Sequence, residues 1–208
     1  MSFSPAISFG HRAMPFWVGM PSAEVGPVSE MLTPIVRSAS AGSGASAAMP
    51  HKGLVERGYA KGKIYQTHGA ATLDLIRVGG ADVDGSFVSS GPAVVAEQLP
   101  ATNASKALGV QYKTAFEAAN GKGSANQFGA HAFDVIVVLQ KAVPIALKKG
   151  KPGTPEFRTA LKDAFETMGR TPVSQGVLNW TATDHFGYTP ETGVLLKVAK
   201  GDWEVVPN

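Results

Sequence analysis

The stretch KIYQTHGAATLDLIRVGGADVDGSFVSSGP, residues 63–92, decides the fold class. Residues 63–67 have the pattern of a short strand, and residues 71–78 have the spacing of a helix that ends at two glycines. Residues 86–90 have the pattern of a second strand, again bounded by glycines. Strand, helix and strand in this order predict an α/β fold with parallel sheets flanked by helices.

Three amphipathic helices are predicted after this stretch, over residues 104–119, 126–149 and 154–168. Pro144 is expected to kink the second of them. The apolar period of that helix predicts a core-facing stripe, made of Phe128, Ala132, Val135, Ile136, Leu139, Val143 and Leu147.

The last forty residues are rich in residue types that favour β-strands. Strands are predicted over residues 176–181, 194–200 and 203–206. Gly201-Asp202 has the Gly-X form of a two-residue turn. The chain is therefore predicted to end in a β-hairpin.

The first forty residues differ from the rest. Residues 1–50 carry only four charged side chains. Prolines at positions 5, 15, 21, 27 and 34 interrupt every window in which a helix could complete three turns. We expect irregular structure over residues 1–40. An export signal needs a basic start and an apolar core of about 7–15 residues. Because no such core follows the start of this chain, we expect no export signal in it as written.

Composition excludes several classes of protein. The chain has 208 residues, of which 44% are hydrophobic, and it has no Cys. This excludes a disordered chain, a disulfide framework and a thiolate zinc site. The net charge is +3 and no basic cluster is present, so we expect no nucleic-acid partner.

Residues 42–47, GSGASA, have the form G-x-G-x-x-A found in dinucleotide-binding loops. Such a loop needs an acidic residue about 20 positions later, to bind the ribose. Glu56 comes too early and Asp74 too late. A nucleotide-binding α/β enzyme that uses this loop stays an alternative function.

Other candidate chemistry is sparse. His131 and Asp134 are three residues apart on a helix, but no third ligand of the right type is near, and no metal site is predicted. The chain has no G-x-S-x-G elbow for a nucleophilic serine. We therefore predict no catalytic residues and no cofactor.

His68 stands where a predicted strand ends and the next helix begins, and Gly69 follows it. Unpaired backbone N–H groups and the positive end of the helix dipole favour a carboxylate at such a place. A helix-capping His without a ligand is the alternative. Phe128 and His131 lie in the first turn of the longest helix, where they could line a cleft or, for Phe128, belong to the core.

Four stretches carry a resemblance to a known family: AGSGASAAMPHKGLVERGY (41–59), residues 63–92, FGAHAFD (128–134) and GVLNWTATDHFGY (176–188). Their order resembles the periplasmic substrate-binding proteins of branched-chain amino acid type ABC importers, and most closely a subgroup that is similar to receptors for aromatic and other organic carboxylates. The resemblance implies a two-lobed type I fold that closes on its ligand like a hinge. It assigns residues 41–87 and 188–208 to the second lobe and residues 88–187 to the first.

The resemblance also implies a function. A member is an extracytoplasmic receptor without catalysis, which delivers a small ligand to an ABC permease in the inner membrane, and its location is the periplasm. The implied ligand-binding residues are Ser43, Gly44, His68, Gly69, Phe128 and His131. In relatives that bind the α-ammonium group of leucine-like ligands, the position of His68 is acidic. The resemblance therefore implies an aromatic or other organic acid in preference to a branched-chain amino acid.

A complete member of this family would be nearly twice as long. We therefore expect this chain to be a truncated, C-terminal portion of a receptor, with apolar faces and strand edges exposed and with poor stability as a monomer. A fragment with no ligand of its own stays the other alternative.

Overall fold

Seven short strands form two sheets in the computed structural model, which describes residues 38–40 and 42–207. The strands are β1 (Ser38–Ser40), β2 (Ile64–Gln66), β3 (Phe87–Ser90), β4 (Thr171–Val173), β5 (Gly176–Leu178), β6 (Val194–Ala199) and β7 (Asp202–Val205). Five of them form a sheet in the order β1-β2-β3-β6-β7, and β4 pairs with β5 in a separate ribbon. The described residues group into one compact unit.

The five-stranded sheet is mixed. Strands β1, β2 and β3 are parallel, whereas β6 runs antiparallel to β3 and forms a hairpin with β7. Val88 lies opposite Leu196 in the register of β3 and β6, and both side chains are buried. They belong to the main core, which also contains Leu75, Val198 and Trp203. The predicted α/β class with a C-terminal hairpin is confirmed.

Five helices accompany the strands: α1 (Ala48–Glu56), α2 (Leu73–Gly79), α3 (Lys106–Asn120), α4 (Gln127–Ala146) and α5 (Pro155–Thr167). Two of their starts have a side-chain cap, as the chemistry of Asn and Thr favours. The Asn126 side chain accepts hydrogen bonds from the backbone N–H groups of Phe128 and Gly129, and the Thr154 side chain accepts one from Phe157. These caps fix where α4 and α5 begin.

The molecule has two regions with different architecture. The sheet part comprises residues 38–90 and 194–205, with the five-stranded sheet, α1 and α2. The helical part comprises residues 106–188, with α3, α4, α5 and the β4–β5 ribbon. Two connections join them, and the longer one contains the 3-10 segment Pro92–Gln98.

The predicted core stripe of α4 is wrong. Its buried face consists instead of mostly small or polar residues: Gln127, Ala130, Asp134, Val138, Ala142 and Ala146. Large apolar side chains on the opposite side, among them Val135 and Ile136, are exposed. Small residues allow α4 to lie close to its neighbours, so the buried side is not the most hydrophobic one. The expected exposure of an apolar face is confirmed.

Helix α4 is also long and apolar enough to span a membrane, judged by length and composition alone. Core helices of proteins in water pass the same test. Pro144 lies inside α4, where the sequence placed it.

Three local predictions need correction. Irregular structure was expected up to residue 40, but Ser38–Ser40 form β1, while residues 1–37 lie outside the described residues. Strand β4 was not predicted. The terminal turn is centred on Lys200 and Gly201, one residue earlier than expected, since Ala199 pairs with Asp202. Both turn residues have positive φ, 53° and 80°, as a type I′ turn requires.

Candidate functional site

His68 and Gly69 lie directly after β2, in the short 3-10 turn His68–Ala70. The loop between β1 and α1 packs against this turn. A Cβ atom at Gly69 would lie 3.4 Å from the carbonyl oxygen of Gly42 and 3.8 Å from the Cα of Ser43. The two backbone segments are therefore in van der Waals contact, and the predicted residues Ser43, His68 and Gly69 come together.

Gly44 lies beside this contact with φ +55°, a value that favours glycine. Its nearest neighbour would be the hydroxyl of Thr72, 3.6 Å from a Cβ atom at this position. That hydroxyl is buried and has no hydrogen-bond partner among the described residues. The start of α2 thus places an unpaired side-chain donor between the glycine loop and the His68 turn.

The first turns of α4 contact the same place from the helical part. The fully buried side chain of Gln127 donates hydrogen bonds to the carbonyl oxygens of His68 and Gly69, at 3.1 and 3.3 Å. The ring of His131 lies 5.2 Å from the ring of His68, edge to face. Phe128 is in the same turn as Gln127, but its side chain is 52% exposed. The sheet part and the helical part therefore meet at His68.

Besides Thr72, three residues at this place were missed by the sequence analysis: Gln127, Gln175 and Tyr188. The Tyr188 hydroxyl lies 3.3 Å from Nδ1 of His131. Gln175 is buried in the turn between β4 and β5, and its Nε2 lies 3.5 Å from Nε2 of His68. Only Gln127 had a signal in the sequence, because it directly follows a residue suited to capping α4. No pattern pointed to Gln175 or Tyr188.

Asp134 holds the turn that carries Gln175. Its two carboxylate oxygens accept hydrogen bonds from the backbone N–H groups of Ser174 and Gln175, at 2.7 and 2.9 Å. Burial raises the pKa of Asp134, and these hydrogen bonds partly oppose the rise. Asp134 was considered with His131 as a metal-ligand pair, but both of its oxygens already bind the β4–β5 turn.

The titratable groups at this site favour neutral forms. Burial lowers the pKa of His68 below 6.5, and the neighbouring His131 lowers it further. Burial raises the pKa of Tyr188 to about 12, and Asp134 adds to the rise. At neutral pH the site therefore presents an uncharged His68 and a protonated Tyr188 hydroxyl. Such groups bind an anion through N–H and O–H donors rather than through a full positive charge.

Solved structures resemble this chain, although no protein-family model and no curated protein matches it. An extracellular ligand-binding receptor from Rhodopseudomonas palustris HaA2 is 42% identical, with a TM-score of 0.75, over 79% of this chain and 46% of that chain. Another extracellular ligand-binding receptor from the same strain is 36% identical, with a TM-score of 0.72, over 79% of this chain and 45% of that chain. The chain has the type I periplasmic binding fold.

A more distant type I structure agrees on the fold. A leucine binding protein from Thermotoga maritima MSB8 is 18% identical, with a TM-score of 0.56, over 79% of this chain and 42% of that chain. The predicted family resemblance is confirmed: these structural neighbours are binding proteins rather than enzymes. This chain spans a little under half of the length of each of them.

The glycine loop has a packing explanation within the type I fold. A Cβ atom at Gly42 would lie 2.5 Å from the Cα of Ala47, so a side chain does not fit. Ser43 and Ser46 close the loop on themselves: the Ser46 hydroxyl donates to the carbonyl oxygen of Ser43 at 2.8 Å and accepts from the Ser43 N–H at 3.2 Å. Close packing and the positive φ of Gly44 therefore account for both glycines without a phosphate ligand.

A cavity of about 690 Å³ lies beside the His68 site, between α4, α5 and the segment that ends at Tyr188. Of the predicted site residues, only His131 lines it. Its charged residues include Glu166, which binds both Lys162 and His185, at 2.7 and 2.8 Å. The cavity is mainly apolar and lies between helices that expose large side chains, whereas the polar groups able to orient a ligand gather at His68. We therefore place the candidate site at His68.

Proposed function

We propose that this chain is part of an extracytoplasmic receptor that binds a small carboxylate, namely an aromatic or other organic acid. The observation that carries the proposal is a histidine at the end of β2 whose ring faces a second imidazole and whose neighbour Gly69 packs against the glycine loop. Burial lowers the pKa of this histidine, which favours its neutral form. The likeness to extracellular ligand-binding receptors supports a binding role. The ligand-binding residues are Ser43, Gly44, His68, Gly69, Phe128 and His131, to which we add Thr72.

The polar groups of the site favour an anion over an ammonium group. Within the described residues, the polar side chains that contact the His68 ring are the Gln175 amide and the His131 imidazole. The nearby carboxylate of Asp134 is occupied by two backbone N–H groups. An α-ammonium group needs an acceptor, preferably a charged one. The unpaired acceptor beside His68 within the described residues is the neutral Oε1 of Gln127, which carries no charge to match an ammonium group. A leucine-like amino acid is therefore the less favoured ligand.

The partner and the location follow from the same proposal. A receptor of this kind releases its ligand to an ABC permease in the inner membrane, and it works in the periplasm. The branched-chain amino acid transporter proteins among the structural neighbours support this role. No cofactor enters the proposal.

A thermal-shift screen of the purified chain tests the ligand class. The panel contains benzoate, hydroxycinnamates, short fatty acids and leucine, and isothermal titration calorimetry follows each shift. A ligand present at about 100 times its Kd should add about 2.7 kcal/mol to the free energy of unfolding. We expect stabilisation by a carboxylate of the organic-acid group and little or none by leucine.

Two variants connect the result to the site. His68→Ala should remove the stabilisation, whereas His185→Ala, which changes an exposed histidine paired with Glu166, should keep it. Unchanged carboxylate affinity in a folded His68→Ala variant would refute the assignment. A shift with nucleotides that is lost in Gly44→Asp would favour the alternative nucleotide-binding enzyme. No shift with any compound would favour the fragment without a ligand.

A further inference from the structure

Gln175 connects three segments of the chain. Its side chain contacts His68 in the sheet part, the backbone of α4 at Gln127, and the start of the connection at Ala93. It also fills the space above Gly91, where a Cβ atom would lie 2.4 Å from its Oε1. The side chain is almost fully buried. A side chain with this many fixed neighbours has one orientation.

The neighbours also determine which end of the amide is oxygen. The backbone N–H of Ala93 can only donate, and it lies 3.3 Å from one amide atom, which must be the acceptor Oε1. The backbone carbonyl of Gln127 can only accept, and it lies 3.3 Å from the other, which must be the donor Nε2. Both constraints give the same orientation, and neither backbone group can reverse its role.

This orientation fixes the proton on His68. The Gln175 Nε2 group has only hydrogens to offer, so Nε2 of His68, 3.5 Å away, has to accept. In a neutral imidazole one nitrogen accepts and the other carries the hydrogen. The hydrogen of His68 is therefore on Nδ1.

We propose that Gln175 sets the tautomer of His68 and thereby makes the site selective for ligands that accept a hydrogen bond from Nδ1, which are carboxylates and other anions. Gln175 is a positioning residue, because it acts on the ligand through His68. The inference rests on the proposed function in one respect, that His68 faces the ligand. Asp134 assists by holding the backbone N–H of Gln175.

His51 provides an internal reference of the opposite tautomer. Its Nε2 lies 3.1 Å from the backbone carbonyl of Asp82, which can only accept, so this nitrogen carries the hydrogen. Its Nδ1 lies 3.1 Å from the amide nitrogen of Gln66 and accepts. One protein thus contains a buried histidine, His51, and a half-buried one, His68, whose neighbours impose opposite tautomers.

Nitrogen-15 NMR of the imidazole rings in the ligand-free chain at about pH 7.5, above the ordinary histidine pKa, tests the tautomer. His68→Ala and His51→Gln variants assign the signals. We expect protonated-type Nδ1 and unprotonated-type Nε2 for His68, and the reverse for His51. A hydrogen on Nε2 of His68 would overturn the proposal.

Variants at Gln175 test its part. Gln175→Met removes the donor and should leave His68 as a mixture of tautomers, while Gln175→Glu keeps the shape and should move the hydrogen to Nε2. The exposed Gln98 gives the matched control, Gln98→Met, which should leave the His68 signals unchanged. If both Gln175 variants keep the hydrogen on Nδ1 alone, the proposal is wrong.

Binding completes the test. Where a carboxylate such as benzoate binds the unmodified chain, Gln175→Glu should weaken it by about tenfold or more, because an oriented donor to a charged group is lost. Unchanged affinity would overturn the claim of selectivity. If no carboxylate binds the unmodified chain, the proposed function fails, while the NMR spectra of the ligand-free protein still decide the tautomer.

Discussion

The sheet part and the helical part bury their hydrophobic residues in different ways. The sheet part encloses large side chains such as Leu75 and Leu196, both fully buried. The helical part has two small clusters, around Tyr112 and Val138, and leaves Val135 and Ile136 more than half exposed. A core is built where strands and helices enclose it from both sides, and three helices with one short ribbon do not achieve this. Most of the free energy of unfolding should therefore come from side chains buried in the sheet part.

The largest expected effect comes from the sheet core. Leu75→Ala should lower the free energy of unfolding by about 2–5 kcal/mol, because it removes a fully buried side chain and leaves a cavity. Leu139→Ala in α4, where the side chain is only partly buried, is the matched control and should cost clearly less. Urea denaturation measures both. Equal losses would contradict the division into a strong and a weak region.

The pH dependence of stability should have opposite signs in the two parts. In the sheet part, burial lowers the pKa of His51 below 6.5, so the unfolded chain binds this proton more readily. The free energy of unfolding should therefore fall as pH drops below about 6.5. In the helical part, burial raises the pKa of Asp134 above 3.8. Its contribution is largest below 3.8 and is lost as pH rises through the raised value.

Variants separate the two contributions. The stability difference between the unmodified chain and His51→Gln should shrink between pH 7 and pH 5, with a slope of at most about 1.4 kcal/mol per pH unit for one proton. The difference for Asp134→Asn should change in the opposite direction at lower pH. Denaturation curves at several pH values measure both. A His51→Gln difference that does not vary with pH would remove His51 from the explanation.

The smallest effect on stability is expected on the exposed face of α4. Ile136→Ser should change the free energy of unfolding by no more than about 0.5 kcal/mol, since the side chain is 55% exposed. It should nevertheless reduce self-association, because exposed apolar patches mediate contacts between molecules. Met49→Ser, at an exposed apolar residue of the sheet part, is the control. Sedimentation velocity should show less self-association for Ile136→Ser than for the unmodified chain, and no change for Met49→Ser. If the unmodified chain is already a stable monomer, the exposed face of α4 does not cause self-association and the prediction is wrong.

The sequence predicted the sheet part better than the helical part, for a physical reason. In residues 63–92 the spacing of apolar residues and the glycines that end each element both reflect local structure. For this reason β2, α2 and β3 lie within two residues of their expected bounds. In α4 the apolar period located the helix but indicated the wrong buried face, because small residues and Asp134 pack inward there. The spacing of apolar residues shows which face of a helix is most hydrophobic. It does not show which face has neighbouring elements to pack against.

The candidate site shows the same limit. His68, Gly69 and Ser43 were found because strand ends and glycine loops have local signals. Gln175 was not, since its role comes from contacts with Ala93 and Gln127, which are 82 and 48 residues away in the chain. Long-range hydrogen bonds of a buried amide leave no trace in a single sequence.

The contact between Gly91 and Gln175 restricts the order in which substitutions at these two positions could be accepted during evolution. A Cβ atom at Gly91 would lie 2.4 Å from the Gln175 side chain, so any other residue at 91 requires a smaller or displaced residue at 175 first. The reverse order is open, because shortening residue 175 leaves glycine in place. The two positions are therefore epistatic, with effects that do not add. A lineage that has replaced Gly91 should also have given up the amide at position 175.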